Sequence, residues 1–216
     1  MGQSITNMEG FELGEPVLVC RWRLSNRKLP LENRHMRALV ARTIDGEQIP
    51  VELMAWAKQH IEWTLEQGAV DNPNGTLMLI VDDQGRAAMT VGPYVPLEDV
   101  TLSGLVRRAD RARMEADKTG VPPETIWVAK NDELVWDPGE DCVASGSASL
   151  VLQLAQTLGI DVRTWQGLSD AIATQAIAYD EAFLVSDEHG IVPASDADGT
   201  YGRRLALGYQ RLLARM

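Results

Sequence analysis

The sequence predicts a mixed α/β (α+β) protein in two parts. Short apolar runs of strand length alternate with longer runs of helical spacing in both halves of the chain, which is the pattern of sheets covered by helices. A break rich in glycine and proline, Gly92-Pro93-Tyr94-Val95-Pro96, separates the halves. No internal repeat or low-complexity tract suggests an array or a fibre instead. The expected organisation is a flexible lead-in over residues 1–14, a small N-terminal α/β domain over 15–95 and a C-terminal α/β domain over 96–216.

In order along the chain, Val17-Leu18-Val19-Cys20 with Trp22 reads as a strand, and Leu31 to Arg42 as a helix. A longer helix follows Asp45-Gly46. Pro50 suits its first turn, where a missing N–H costs little, and Gly68 suits its end. Met54, Ala57, Ile61 and Leu65 form one helical stripe, with Trp56, His60 and Trp63 beside it as a second buried side or an oligomer contact. Thr76 to Val81 and Arg86 to Val91 are strands joined by the turn Asp82-Asp83-Gln84-Gly85. The second half opens with a helix from Ser103 to Thr119, stopped by Gly120 and Pro122-Pro123. Two strands flank Asn131-Asp132, and a helix from Ser147 ends at Gly159. A strand at 160–162, a short helix, a strand at 181–185, a return strand near Ile191 and a helix from Tyr201 complete it.

Composition narrows the function classes. The net charge of −11 argues against a general nucleic-acid binder, since phosphate contacts need clustered Lys and Arg. No apolar run approaches the ~20 residues of a membrane helix, and residues 1–10 lack the basic-then-apolar pattern of a secretory signal, so a cytoplasmic protein is expected. Cys20 and Cys142 are far apart in sequence and read as free thiols. His35, His60 and His189 show no metal-ligand spacing, so no metal site is expected.

The wording from Leu150 to Pro193 is more specific. A helix-like run and Ile160-Asp161-Val162 lead to Tyr179-Asp180-Glu181-Ala182-Phe183-Leu184-Val185-Ser186-Asp187-Glu188-His189-Gly190-Ile191-Val192-Pro193. In that order it resembles the class IV aminotransferases, the fold-type IV pyridoxal-phosphate (PLP) enzymes, which include branched-chain and D-amino-acid aminotransferases and aminodeoxychorismate lyase. The resemblance covers residues 15–216 loosely and 144–199 more closely. It implies a two-domain fold-type IV architecture and a homodimer.

Site residues follow from the resemblance. Leu31-Glu32-Asn33-Arg34-His35-Met36-Arg37 would supply the phosphate arginine as Arg37, although the preferred reading of Arg34 and Arg37 is as solvated residues of an amphipathic helix. Gly146, Ser147 and Ser149 open a helix where backbone N–H groups and the helix dipole favour an anion; an ordinary serine cap is the alternative. Tyr94 sits where the family places pocket residues between its domains.

Departures from the family carry as much weight. Its Thr- and Ser-rich phosphate loop reads Ser186-Asp187-Glu188-His189 here, and two carboxylates repel a phosphate in a partly dry site. Asp187, Glu188 and His189 are instead acid–base candidates, with His189 a general base oriented by a carboxylate. The Schiff-base lysine maps to Thr101-Leu102, and no lysine occurs between Lys58 and Lys118. Glu124 to Lys130 matches either of two family strands, which leaves the family's pyridine-facing glutamate without a position and implies a missing hairpin.

The expectation is therefore a family relative that acts on or binds a small carboxylate or amino-acid-like molecule without PLP. A working PLP aminotransferase or lyase using Lys118 is the alternative. A third reading is a non-enzymatic dimeric scaffold whose cleft is filled by Trp127 and Trp136.

Overall fold

The structure, a computed structural model, describes residues 12–215. Strand β1 (Pro16–Arg23) alternates buried Leu18, Cys20 and Trp22 with Val17, Val19, Arg21 and Arg23 on its other face. It pairs antiparallel with β4 (Thr76–Asp82), which pairs with β5 (Ala87–Gly92), in the order β1-β4-β5. Helices α1 (Glu32–Val40) and α2 (Val51–Gln67) cover this sheet, and Met36, Leu39, Ala57 and Ile61 close its core.

Between these helices lie two strands that the sequence reading missed, β2 (Thr43–Ile44) and β3 (Glu47–Gln48). Asp45 and Gly46 have φ of 52° and 80°, the positive pair that a two-residue hairpin turn demands. The Asp-Gly signal therefore closes a hairpin rather than introducing a helix. Pro50 stands at the N-cap of α2, one position before its expected place in the first turn.

Helix α3 (Leu102–Thr119) follows the break. Thr101 caps it by accepting from the Gly104 N–H, and Gly120 ends it at φ 75°. Then come β6 (Glu124–Lys130), β7 (Glu133–Trp136), α4 (Gly146–Leu158), β8 (Asp161–Thr164), α5 (Leu168–Ala173), β9 (Glu181–Ser186), β10 (Gly190–Pro193) and α6 (Thr200–Ala214). The strands form one sheet, β10-β9-β6-β7-β8, in which only β8 runs parallel to its neighbour. Its strands β6 and β9 are buried on both faces, and this explains their near-continuous apolar runs. One face packs on α4 and α6, the other on α3 and α5.

Trp127 and Trp136 stack at 4.7 Å between centroids, with Phe183 beyond, in the core against α4. They serve that core and do not fill a cleft. No described helix is long and apolar enough to cross a membrane.

Residues 1–11 of the expected lead-in lie outside the described residues; Gly14 within it is held, its N–H donating to Asp82 at 2.8 Å. Burial raises the Asp82 pKa, but the Gly14 N–H, the Arg86 guanidinium and the N–H groups of Arg86 and Gln84 outweigh that and bring it to about 2. A carboxylate depressed on folding adds stability above the unfolded aspartate pKa of about 4 and loses it as pH falls toward the folded value. Stability measured by urea unfolding is therefore expected to decline between about pH 4 and pH 2, and less so in Asp82→Asn, which also melts several degrees lower at pH 7.

Cys20 is fully buried, and burial pushes its thiol up to about 11. The Cys142 thiol is raised less and is partly exposed. Titration of the native protein with a thiol reagent is expected to label Cys142 alone, and Cys20 only after unfolding.

Candidate functional site

The turn joining β9 to β10 meets β1 and the start of α4. Arg23 N–H donates to the Asp187 carbonyl at 3.2 Å, Asp187 N–H donates to the Pro123 carbonyl at 3.1 Å, and Thr76 Oγ1 donates to Glu188 at 3.2 Å. The Arg23 and Thr76 bonds hold the turn against the three-stranded sheet, and the Pro123 bond ties it to the approach to β6. From here Asp187 faces inward, while Glu188 and His189 line a cleft.

Inside, Asp187 is 2% exposed and occupies the N-terminus of α4. The Ser147 N–H donates to its Oδ1 at 2.8 Å, and His35 Nδ1 lies 3.6 Å from Oδ2. Burial alone would raise the Asp187 pKa. The facing His35 ring, the Ser147 N–H and Arg42 more than offset it, so the carboxyl lies below the usual range. The helix start thus holds an anion, and that anion is the protein's own carboxylate.

Gly146 is needed here: a Cβ on it would come within 2.3 Å of His35 Nδ1. Ser145 caps the helix by accepting from the Ala148 N–H at 3.3 Å. Among the described residues, His35 Nδ1 and Ser147 Oγ at this point are buried without a hydrogen-bond partner.

Outside, a network of charges lines the cleft between β1 and α3. Arg108 donates to both oxygens of Glu124, at 2.9 and 2.8 Å, and Ser186 Oγ donates to the same carboxylate at 2.9 Å. Arg108 also lies 3.1 Å from His189 Nε2. A guanidinium only donates, so Nε2 accepts and the proton of the neutral ring sits on Nδ1, which faces Tyr94 Oη at 3.3 Å. Burial lowers the His189 pKa, Glu188 and Glu124 oppose that, and Arg108 and Arg23 add to it, with a net lowering. The Arg23 guanidinium lies 3.3 Å from the Tyr94 ring centroid. The cleft comprises a hollow of about 610 Å³ that reaches Glu98, Asp99 and Arg107, and a smaller one of about 170 Å³ toward Glu115.

The residues expected from sequence are only partly brought together. Ser147 and Gly146 meet Asp187, and Tyr94 meets His189. Arg37 is exposed in a separate hollow with Leu29 and Glu32, and His35 from the same helix takes the inner position. Ser149 bonds outward to Arg34 at 3.0 Å. Asp187, Glu188 and His189 do not form a trio. The two carboxylates nearest His189 Nε2, Glu124 and Glu188, are both 3.8 Å away, and Arg108 stands closer than either.

Arg21, Arg108, Arg111 and Glu124 were missed. The alternation of β1 places Arg21 and Arg23 together on its outer face, and the four-residue step from Arg107 to Arg111 aligns two arginines on α3. Among the described residues no group of three His, Cys, Asp or Glu side chains is placed to hold a metal ion.

No protein-family model and no curated protein matches the sequence. Solved structures do match in shape. The chain is similar to a hypothetical aminotransferase from Mycobacterium tuberculosis in its PLP-bound form, with a TM-score of 0.64 at 13% identity over 99% of this chain and 96% of that one. It is similar to a fold IV transaminase from Curtobacterium pusillum, with a TM-score of 0.60 at 12% identity over 97% and 90%. A candidate 4-amino-4-deoxychorismate lyase from Legionella pneumophila gives a TM-score of 0.59 at 13% identity over 96% and 98%. The mixed α/β fold is the one these proteins share.

Gly146→Ala is expected to destabilise the protein by about 1–3 kcal/mol, the usual cost of forcing extra atoms into a packed site. His35→Ala in the same chain relieves the clash, so the double variant should lose less than the two single losses summed. Urea unfolding of the three variants measures this coupling.

Proposed function

We propose that this chain is a two-part relative of the fold-type IV aminotransferases, divided near residue 95, that binds a small carboxylate or amino-acid-like molecule in the β1–α3 cleft without PLP. The observation that carries the reading is Asp187 in the anion position at the start of α4, bonded to the Ser147 N–H at 2.8 Å. A phosphate group would have to displace a buried carboxylate that faces His35 and is already well satisfied.

PLP does not fit the residues of the cleft either. Its lining offers arginine, histidine and carboxylates but no lysine to form a Schiff base. Thr101, where the family's lysine maps, caps α3. Lys118 is exposed in the last turn of α3 and does not line the cleft.

What the cleft offers a carboxylate is guanidinium donors, set among carboxylates of its own. Four arginines line it, and a guanidinium recognises carboxylates through paired N–H groups while staying protonated. His189 acts as a base only when Arg108 leaves its Nε2, so binding is the primary role and proton transfer a conditional one. A homodimer is part of this proposal, and sedimentation velocity reads it directly.

Absorbance of the purified protein, before and after incubation with PLP and borohydride reduction, tests the reading. The expected result is a colourless protein with no reduced adduct. An aldimine band traced to one lysine by peptide mapping overturns it.

A further inference from the structure

We infer that His189 is a proton-operated switch of the cleft: a proton on its Nε2 drives off Arg108 and hands the ring to Glu188. This deepens the binding reading above by naming what regulates the cleft. It rests on that reading only for the effect on a ligand.

The contact that makes the switch is Arg108 Nη2 with His189 Nε2 at 3.1 Å. Every guanidinium N–H donates, so this contact exists only while Nε2 is bare. A protonated ring sets two donors and two positive charges against each other. Arginine cannot yield by losing its own proton. The His189 side chain is 4% exposed, so the charged ring must find its partner within the protein.

That partner is in place. Glu188 Oε2 and Glu124 Oε1 each lie 3.8 Å from Nε2, just beyond a hydrogen bond. Both oxygens of Glu124 are taken by Arg108, and Oε1 by Ser186 as well. Glu188 accepts from Thr76 through Oε1, and among the described residues nothing donates to its Oε2. A small swing of the ring or of Glu188 therefore exchanges Arg108 for a carboxylate. The other end of the ring keeps its partner. Nδ1 carries its proton in both states and donates to Tyr94 Oη at 3.3 Å, and the His189 N–H stays on Ser186 Oγ at 3.0 Å.

The charged and titratable groups that face the ring set which state holds. They are Arg23 from β1, Tyr94, Arg108 from α3, Glu124 from β6 and Glu188. Burial and the two arginines favour the neutral ring and outweigh the two glutamates. The Arg108 state thus holds near neutral pH, and acid throws the switch. The effect on the cleft follows from its charges. Three carboxylates line the large hollow and the small one adds two, against four guanidiniums. While His189 is neutral, this lining has no surplus positive charge to offer an anion. A proton on the ring supplies one, and an anion in the cleft in turn favours the proton.

Imidazole nitrogen NMR of histidine-labelled protein, recorded from about pH 8 to about pH 5, tests the switch, and the His189→Gln spectrum assigns the signals. The expected result is a bare Nε2 and a protonated Nδ1 at the alkaline end, with a midpoint below the ordinary histidine value of about 6.5. Arg108→Met should raise that midpoint and Glu188→Gln lower it, each by about half a pH unit or more. A proton on Nε2 at alkaline pH, or a midpoint that neither substitution moves, overturns the switch. Should Arg108→Met fail to fold, Glu188→Gln and the wild-type tautomer still decide. Acetate and a panel of amino acids, titrated at about pH 8 and about pH 5.5 into wild type and His189→Gln, test the coupling to a ligand. Affinity about threefold or more higher in acid for the wild type but not for the variant supports it. Equal affinity at both pH values overturns the coupling and leaves the binding reading standing. Absence of binding by all of them at either pH overturns both.

Discussion

The carboxylate of Asp187 sits where four elements meet. Its backbone joins β1 through Arg23 and the approach to β6 through Pro123, and its side chain joins α4 through Ser147 and faces α1 through His35. A buried carboxylate without these partners would cost several kcal/mol. With them it is held ionised, and the elements that hold it cannot shift independently. Gly146 lacks a Cβ because His35 must approach, and Gly190, at φ 72°, leaves room for Tyr209 under the same turn. Both glycines let large side chains approach the turn that carries the charge.

The same strand shows the device twice. Glu181, at the start of β9, accepts the N–H groups of Tyr201 and Gly202 at the start of α6, at 2.9 and 2.8 Å. Asp187, just past the end of β9, does the same for α4. Two helix dipoles are thus met by carboxylates from one strand, and neither start is open to an external anion. The anion binding proposed for this chain therefore falls to side chains in the cleft, where the arginines stand.

Much of the fold was legible because its signals are local. Gly120 ends α3 and Gly159 ends α4 as the sequence reads, both helices start one residue before the Ser103 and Ser147 read there, and strands on either side of Asn131-Asp132 and over 181–185 are found. The β2–β3 hairpin escaped because two-residue strands carry no periodicity and only Asp45-Gly46 marks them. The site was less legible because it is assembled from contacts far apart in sequence. Asp187 and His35 are separated by most of the chain, and nothing near Asp187 announces that it turns inward while Glu188 turns outward. Arg37, read either as a phosphate arginine or as a solvated helix residue, faces solvent, while His35 of the same helix is 1% exposed and was not singled out in the sequence.

The chemistry of the cleft follows from which basic residue lines it. Arginine binds anions through fixed N–H forks but neither gives up its proton nor attacks a carbonyl, so a cleft lined by arginine orients a ligand without joining to it. His189 is the imidazole lining it, and its Nε2 is covered by Arg108, which Glu124 holds in turn. An entering carboxylate competes with Glu124 for Arg108, and any movement of Arg108 toward the ligand uncovers His189 Nε2 beside it. In the proposed binding site, charge recognition and the availability of a base would both pass through the Arg108 guanidinium.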